Sequence, residues 1–161
     1  MKKEVVRGFT MLLLIVVLAF ATAVASANAQ STKKVVADIP FEFVVGDRTM
    51  ASGEYILKAN GMQSQALMIQ SRDAKSSAIR LTNAIERPRS QAHETKARLV
   101  FHRYGQRYFL AQVWSGADST GRQLLESRQE RAIERELASL RPQGEQTQSA
   151  YETVEVLATL R

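Results

Sequence analysis

Few side chains in this sequence are able to do chemistry, and their spacing argues against most of it. The two histidines, His93 and His102, stand in no H-x-H or H-x-x-x-H arrangement, and only Glu94 lies beside His93. A metal site needs several such ligands converging, so no metal is expected. There is no cysteine, which removes disulfides, thiolate metal sites, thiol nucleophiles and lipid-bearing cysteine anchors together. No G-x-S-x-G elbow occurs. Ser115-Gly116-Ala117-Asp118-Ser119 sets serine near aspartate, but in ordinary loop composition. A glycosidase pair would have to come from Asp38, Glu42, Asp47 or Glu54. Glu42 and Glu54 fall on outward positions of alternating runs, where a solvated acid is the default. Phosphate-cradling glycine loops are missing. The expectation is a protein that is not an enzyme, with no catalytic residue and no cofactor.

One cluster stands out as a binding surface. Around Gly105 the chain reads His102-Arg103-Tyr104-Gly105-Gln106-Arg107-Tyr108. A two-residue turn with glycine first has the form of a type II′ hairpin. It pairs Tyr104 with Arg107, Arg103 with Tyr108, Phe101 with Leu110 and Leu99 with Gln112. Guanidinium groups beside aromatic rings can hold an anionic or sugar-like group, and they can equally stiffen a hairpin. His102, Arg103, Tyr104, Arg107 and Tyr108 are the candidate ligand-binding residues.

The elements that would carry this cluster are strands. Ile39, Phe41, Phe43 and Val45 alternate with Pro40, Glu42 and Val44, the period of a half-buried strand whose proline suggests an edge or a bulge. Gly46-Asp47-Arg48 turns the chain. A second run turns Tyr55, Leu57 and Ala59 inward and ends at Asn60-Gly61. Leu67 with Ile69, then Ile79 with Leu81, mark two more strands. Asn83 to Lys96 reads as an exposed polar loop.

In the hairpin from Ala97 to Trp114 both faces are apolar. Leu99, Phe101, Tyr108, Leu110 and Trp114 lie on one, and Val100, His102, Tyr104, Phe109, Ala111 and Val113 on the other. Such a hairpin is expected to be central and covered on both sides. Thr120 with Gln123 has the form of a capping box for a charged helix over Arg122–Arg141, stopped by Pro142 and Gly144. Its thin stripe of Leu125, Ile133, Leu137 and Leu140 would lie on the sheet or on a partner. Tyr151 to Ala158 alternates as a last strand. The fold class that follows is mainly β: a small antiparallel β-sandwich, with a β-barrel as the alternative, and one C-terminal charged helix.

The first 29 residues are of another kind. Lys2 and Lys3 precede the apolar run Met11–Phe20, and small residues follow through Ala29. That is the layout of a secretory signal, with Ala27-Asn28-Ala29 or Ala25-Ser26-Ala27 at the cleavage site. The competing reading is an uncleaved membrane anchor, since Gly8–Ala29 is uncharged. The domains are then a signal at 1–29, a β-rich domain with its terminal helix at 30–141, and a tail at 142–161. Export makes the periplasm or the exterior the place of action and excludes nucleic acid as partner. Membrane contact would come only through an uncleaved signal. The chain's net charge of +6 is concentrated in the body, residues 30–115, and residues 116–161 are mildly acidic. A basic body can steer the protein toward an anionic envelope polymer, and another exported protein is the other partner considered.

Lys96–Gly105, Arg107–Leu110 and Val113-Trp114, together with Ile39–Gly46 and then Ala51, Gly53 and Tyr55, carry a resemblance. Over roughly residues 35–140 the chain resembles a group of small uncharacterised exported β-rich proteins from Acidobacteria-type soil bacteria. The resemblance implies export and a β-rich fold, and no activity. The leading expectation is an exported non-catalytic module with a binding or cell-envelope role. A barrel-type carrier of a small apolar ligand is the alternative, and a hydrolase the third class. Export with cleavage has a direct check: mass analysis of the exported protein is expected to find an N-terminus within a few residues of Gln30, and a membrane-bound product retaining Met1 would refute it.

Overall fold

The computed structural model describes residues 34–59, 65–87, 96–117, 119–140 and 150–161. The signal segment, the Asn60-Gly61 turn, His93 and the helix stop at Pro142 and Gly144 lie outside them.

Alternating sequence builds most of the strands: β1 (Lys34–Ile39), β2 (Phe43–Val45), β3 (Arg48–Met50), β4 (Gly53–Ala59), β5 (Ala66–Ser71), β6 (Ser77–Glu86), β7 (Arg98–Tyr104), β8 (Arg107–Trp114), β9 (Thr120–Leu124) and β10 (Glu152–Leu160). One helix, α1 (Arg128–Ser139), precedes β10. Eight strands run in the order β8-β7-β10-β1-β4-β5-β6-β9, and β9 pairs back onto β8. The sheet is therefore a closed antiparallel barrel, the alternative rather than the sandwich. Closure removes the free edges that an open sheet of this size would leave. At eight strands the interior is just wide enough for side chains to fill. Here Ile39, Leu57, Ile69, Leu99 and Phe101 sit inside the core at 1% exposure or less.

The first alternating run is two strands rather than one. Pro40 offers no N–H to a ladder, so β1 ends at Ile39 and the chain crosses to β2, which pairs parallel with β8 through Val44 and Phe109. The alternation survives the break: Ile39, Phe43 and Val45 are buried, and Phe41 packs half-buried against the same core. β2 and the short β3 are the two strands added outside the closed ring.

The β7–β8 hairpin corrects the expected faces. Tyr104–Arg107, Arg103–Tyr108 and Phe101–Leu110 pair as the turn requires, and Gly105 takes φ +61°. The register then slips, because Ala111 is an extra residue opposite the Val100/Phe101 step. Leu99 consequently pairs with Val113, not Gln112. This bulge moves Val113 to the barrel side, while Trp114 joins Arg98 on the outer face.

Further expectations give way to pairing. β6 runs on to Glu86, into the stretch expected as loop, because β9 pairs with Thr82–Glu86. Within β6 it is Ala78 and Thr82 that are buried; Ile79 and Leu81 are 67% and 60% exposed. Thr120–Leu124 forms the closing strand instead of a helix start, and α1 begins only at Arg128, with Ser127 as N-cap accepting from the Glu130 N–H at 2.9 Å. Ile133 and Leu137 of the expected stripe do pack on the sheet, whereas Leu125 and Leu140 stay exposed. The alternating C-terminal run forms the expected last strand: β10 sits between β7 and β1 and completes the ring.

Gly121 shows how tightly the seam is drawn. A Cβ there would lie 2.6 Å from the Trp114 ring, which is 3% exposed and has no room to withdraw. Gly121→Ala is expected to cost about 1–3 kcal/mol by overpacking, read from urea unfolding of the purified protein.

Candidate functional site

Strand alternation decides where the five hairpin-tip residues go. Arg103 and Tyr108 belong to the barrel side, where Tyr108 packs against the core. The Arg103 guanidinium lies 5.6 Å from the Tyr108 ring centroid, and Phe41 stacks on the same ring at 4.0 Å and 17°. Arg103 also donates from Nε to the Gly105 carbonyl at 2.9 Å and from Nη1 to Glu152 at 3.2 Å. The expected arginine–tyrosine contact exists, but Nε and Nη1 of its guanidinium are bonded inside the molecule. Tyr104 and His102 belong to the opposite face, and Arg107 is exposed. The five residues are thus divided between two faces of one hairpin.

The outer half of that hairpin is covered by α1. Ile133 and Leu137 pack against Val44, Tyr104 and Phe109, with Ala150 and Tyr151 alongside. Polar contacts run through this apolar seat. His102 Nδ1 lies 2.8 Å from Glu130 Oε1, and both side chains are buried. With a carboxylate as acceptor, Nδ1 carries the hydrogen. The Tyr104 hydroxyl donates to Glu134 Oε1 at 2.6 Å. Tyr151 stacks on the His102 ring at 3.8 Å and 16°.

Burial pushes the Tyr104 phenol well above its ordinary value, and the Glu134 acceptor and the Glu130 charge add to the shift. Burial raises the Tyr151 phenol as well, helped by the same acids. Glu126, just before the N-cap, is raised by burial and then by Glu134 and Glu130. A phenol held protonated and an imidazole bonded to a buried carboxylate form a lock between helix and sheet. Glu130, Glu134 and Tyr151 were not anticipated from sequence. The Ser127-Arg128-Gln129-Glu130 cap pattern and the four-residue spacing of Glu126, Glu130 and Glu134 were the signals that would have found them.

A second feature lies on the other side of β8. The far edge of β8 is shared, with β2 along its first half and β9 along its second. β9 therefore reaches only Thr82–Glu86 of β6. Arg80 bridges part of the remaining gap, donating from Nε and Nη2 to the Val45 carbonyl at 3.2 and 3.1 Å. A Cβ on Gly46, which has φ +63°, would run into that guanidinium. Between β3 and β6 a groove of about 330 Å³ remains, lined by Arg48, Ser77, Ala78, Ile79 and Arg80.

No family model, curated protein or solved structure matches this chain.

The acid row beneath α1 has a measurable pH signature. Glu126 binds its proton more tightly folded than unfolded, so its contribution is fully present below its ordinary value of 4.5 and is lost as pH rises through the raised folded value. The group is largely exposed, which keeps the effect below about 1 kcal/mol. Glu126→Gln is expected to be slightly more stable than the parent at about pH 7, with the difference vanishing near about pH 4, as read from urea midpoints at each pH.

Proposed function

We propose that this protein is an exported, non-catalytic binding module of the cell envelope, and that its partner is another exported protein that adds an extended segment to the open edge of β6. Export is supported by the signal layout of residues 1–29. The observation that carries the binding mode is the half-paired edge. Among the described residues, Ser77–Leu81 pair with β5 alone, while β9 takes over only from Thr82.

The direction of the unpaired groups follows from the ladder. Thr82 N donates to Gln65 O across to β5, so with antiparallel alternation Ala78 and Arg80 also face β5. Ser77 and Ile79 then turn their backbone groups toward the groove. Arg48 already uses one of them, donating from Nη1 to the Ser77 carbonyl at 2.8 Å. An edge of this kind is a template for an added strand, and the exposed Ile79 and Leu81 side chains offer apolar neighbours to it.

Closure of the barrel also favours a second reading, a carrier of one small apolar ligand. The large side chains that fill the centre weigh against it. Native mass spectrometry of protein purified from its host would reveal such a ligand.

Proline scanning with a photo-crosslinker at Ser77 tests the edge. Ile79→Pro removes an N–H aimed at the groove and leaves the β5 ladder intact. It is expected to abolish a discrete crosslinked adduct formed in cells, while the unfolding midpoint moves by no more than about 5 °C. An adduct that survives Ile79→Pro, or none from Ser77 in the parent, would overturn the proposal.

A further inference from the structure

Four strands lie side by side where the barrel closes: Arg98 of β7 pairs with Trp114 of β8, Trp114 with Gly121 of β9, and Gly121 with Ile85 of β6. The missing side chain at Gly121 lets the indole lie over β9, turned toward β6. Arg87 follows Ile85 by two residues on the same face, its backbone N–H held by the Ser119 carbonyl at 2.9 Å. Two guanidinium groups thereby converge on one ring: Arg87 at 5.3 Å and Arg98 at 5.6 Å from the Trp114 centroid.

Their charges are matched unequally. Glu155 stands 3.6 Å from Arg98 Nε. Nε and Nη2 of Arg87, by contrast, are closed to water and have no hydrogen-bond acceptor among the described residues. Those two nitrogens form one edge of the guanidinium, the edge whose parallel N–H bonds donate to two oxygens of an oxyanion. The indole face offsets part of the cationic charge but accepts nothing from that edge. Arg87 as a whole is only half-buried, so part of the side chain reaches the surface although this edge is covered. A sealed donor pair on an unmatched cation calls for an ion as its partner.

We propose that Arg87, set on Trp114 beside Arg98, is the anchor of an oxyanion-binding site that takes a phosphate or carboxylate group, either as a free ion or as the repeating group of an anionic polysaccharide. The net positive charge of residues 30–115 steers such a ligand inward. This site is separate from the β6 edge, and either can fail without the other.

The test follows the Arg87 side-chain 15Nε–1Hε resonance in the mature protein, assigned by single Arg→Lys variants. Inorganic phosphate, galacturonate and polygalacturonate are titrated at constant ionic strength. The Arg87 resonance is expected to move and saturate with at least one of them, while that of Arg107 does not. Arg87→Lys keeps the charge but loses the paired edge, and is expected to weaken binding by about tenfold or more with the fold intact by circular dichroism. Saturation by polygalacturonate at about tenfold lower uronate than by galacturonate assigns the ligand to a polymer, and equal concentrations assign it to a free anion. An Arg87 resonance unmoved by all three, or equal binding by Arg87→Lys, would overturn the proposal.

Discussion

Closure of the sheet depends on one edge, the far side of β8. A strand edge left without partners must be paired, covered or exposed to water, and this edge is divided between β2 and β9. β9 joins β8 to β6 over half the length and so turns an open sheet into a barrel. β2, which reaches β8 only because Pro40 ends β1, takes the other half. The division has a consequence on the opposite side of the seam. β6 pairs with β5 alone up to Leu81 and with β9 from Thr82 on, and the Arg80 fork on the Val45 carbonyl holds the sides together without a ladder.

The bulge at Ala111 does comparable work within the hairpin. One extra residue in β8 lets a single strand serve two environments. Toward the tip, Tyr104 and Phe109 face the helix. Beyond the bulge, Trp114 faces outward over Gly121 beside the two arginines. Without the slip, Val113 would point away from the core it now fills, and Trp114 would point into it.

What could be read from sequence follows from this. The inward sets of β4 and β5, and the pairing at the Gly105 turn, were legible because a period-two pattern on a strand with one wet face admits one register. The β7–β8 hairpin is apolar on both faces, so its pattern cannot reveal a bulge. Thr120–Leu124 carries a helix-cap spacing by coincidence, and only the edges of β6 and β8, distant in sequence, make it a strand. Ile79 and Leu81 look like core residues locally, yet Ala78 and Thr82 face inward. The arginine–tyrosine pairing at the tip was readable, but whether its partners met on one face depended on what α1 covers.

The contacts beneath α1 explain why so polar a helix can stay docked. Its apolar contribution is Ile133 and Leu137, too little to hold it by burial alone. His102 with Glu130 and Tyr104 with Glu134 bond it to the hairpin. A buried pair of this sort gains little net stability over apolar packing, because both groups must leave water. Because Glu126, Glu130 and Glu134 repeat every four residues, a one-turn slide would set another carboxylate against His102, so the acids alone do not choose the register. The choice falls to the features that do not repeat: Ile133 and Leu137 seated on Val44, Tyr104 and Phe109, and the Ser127 cap that begins the helix.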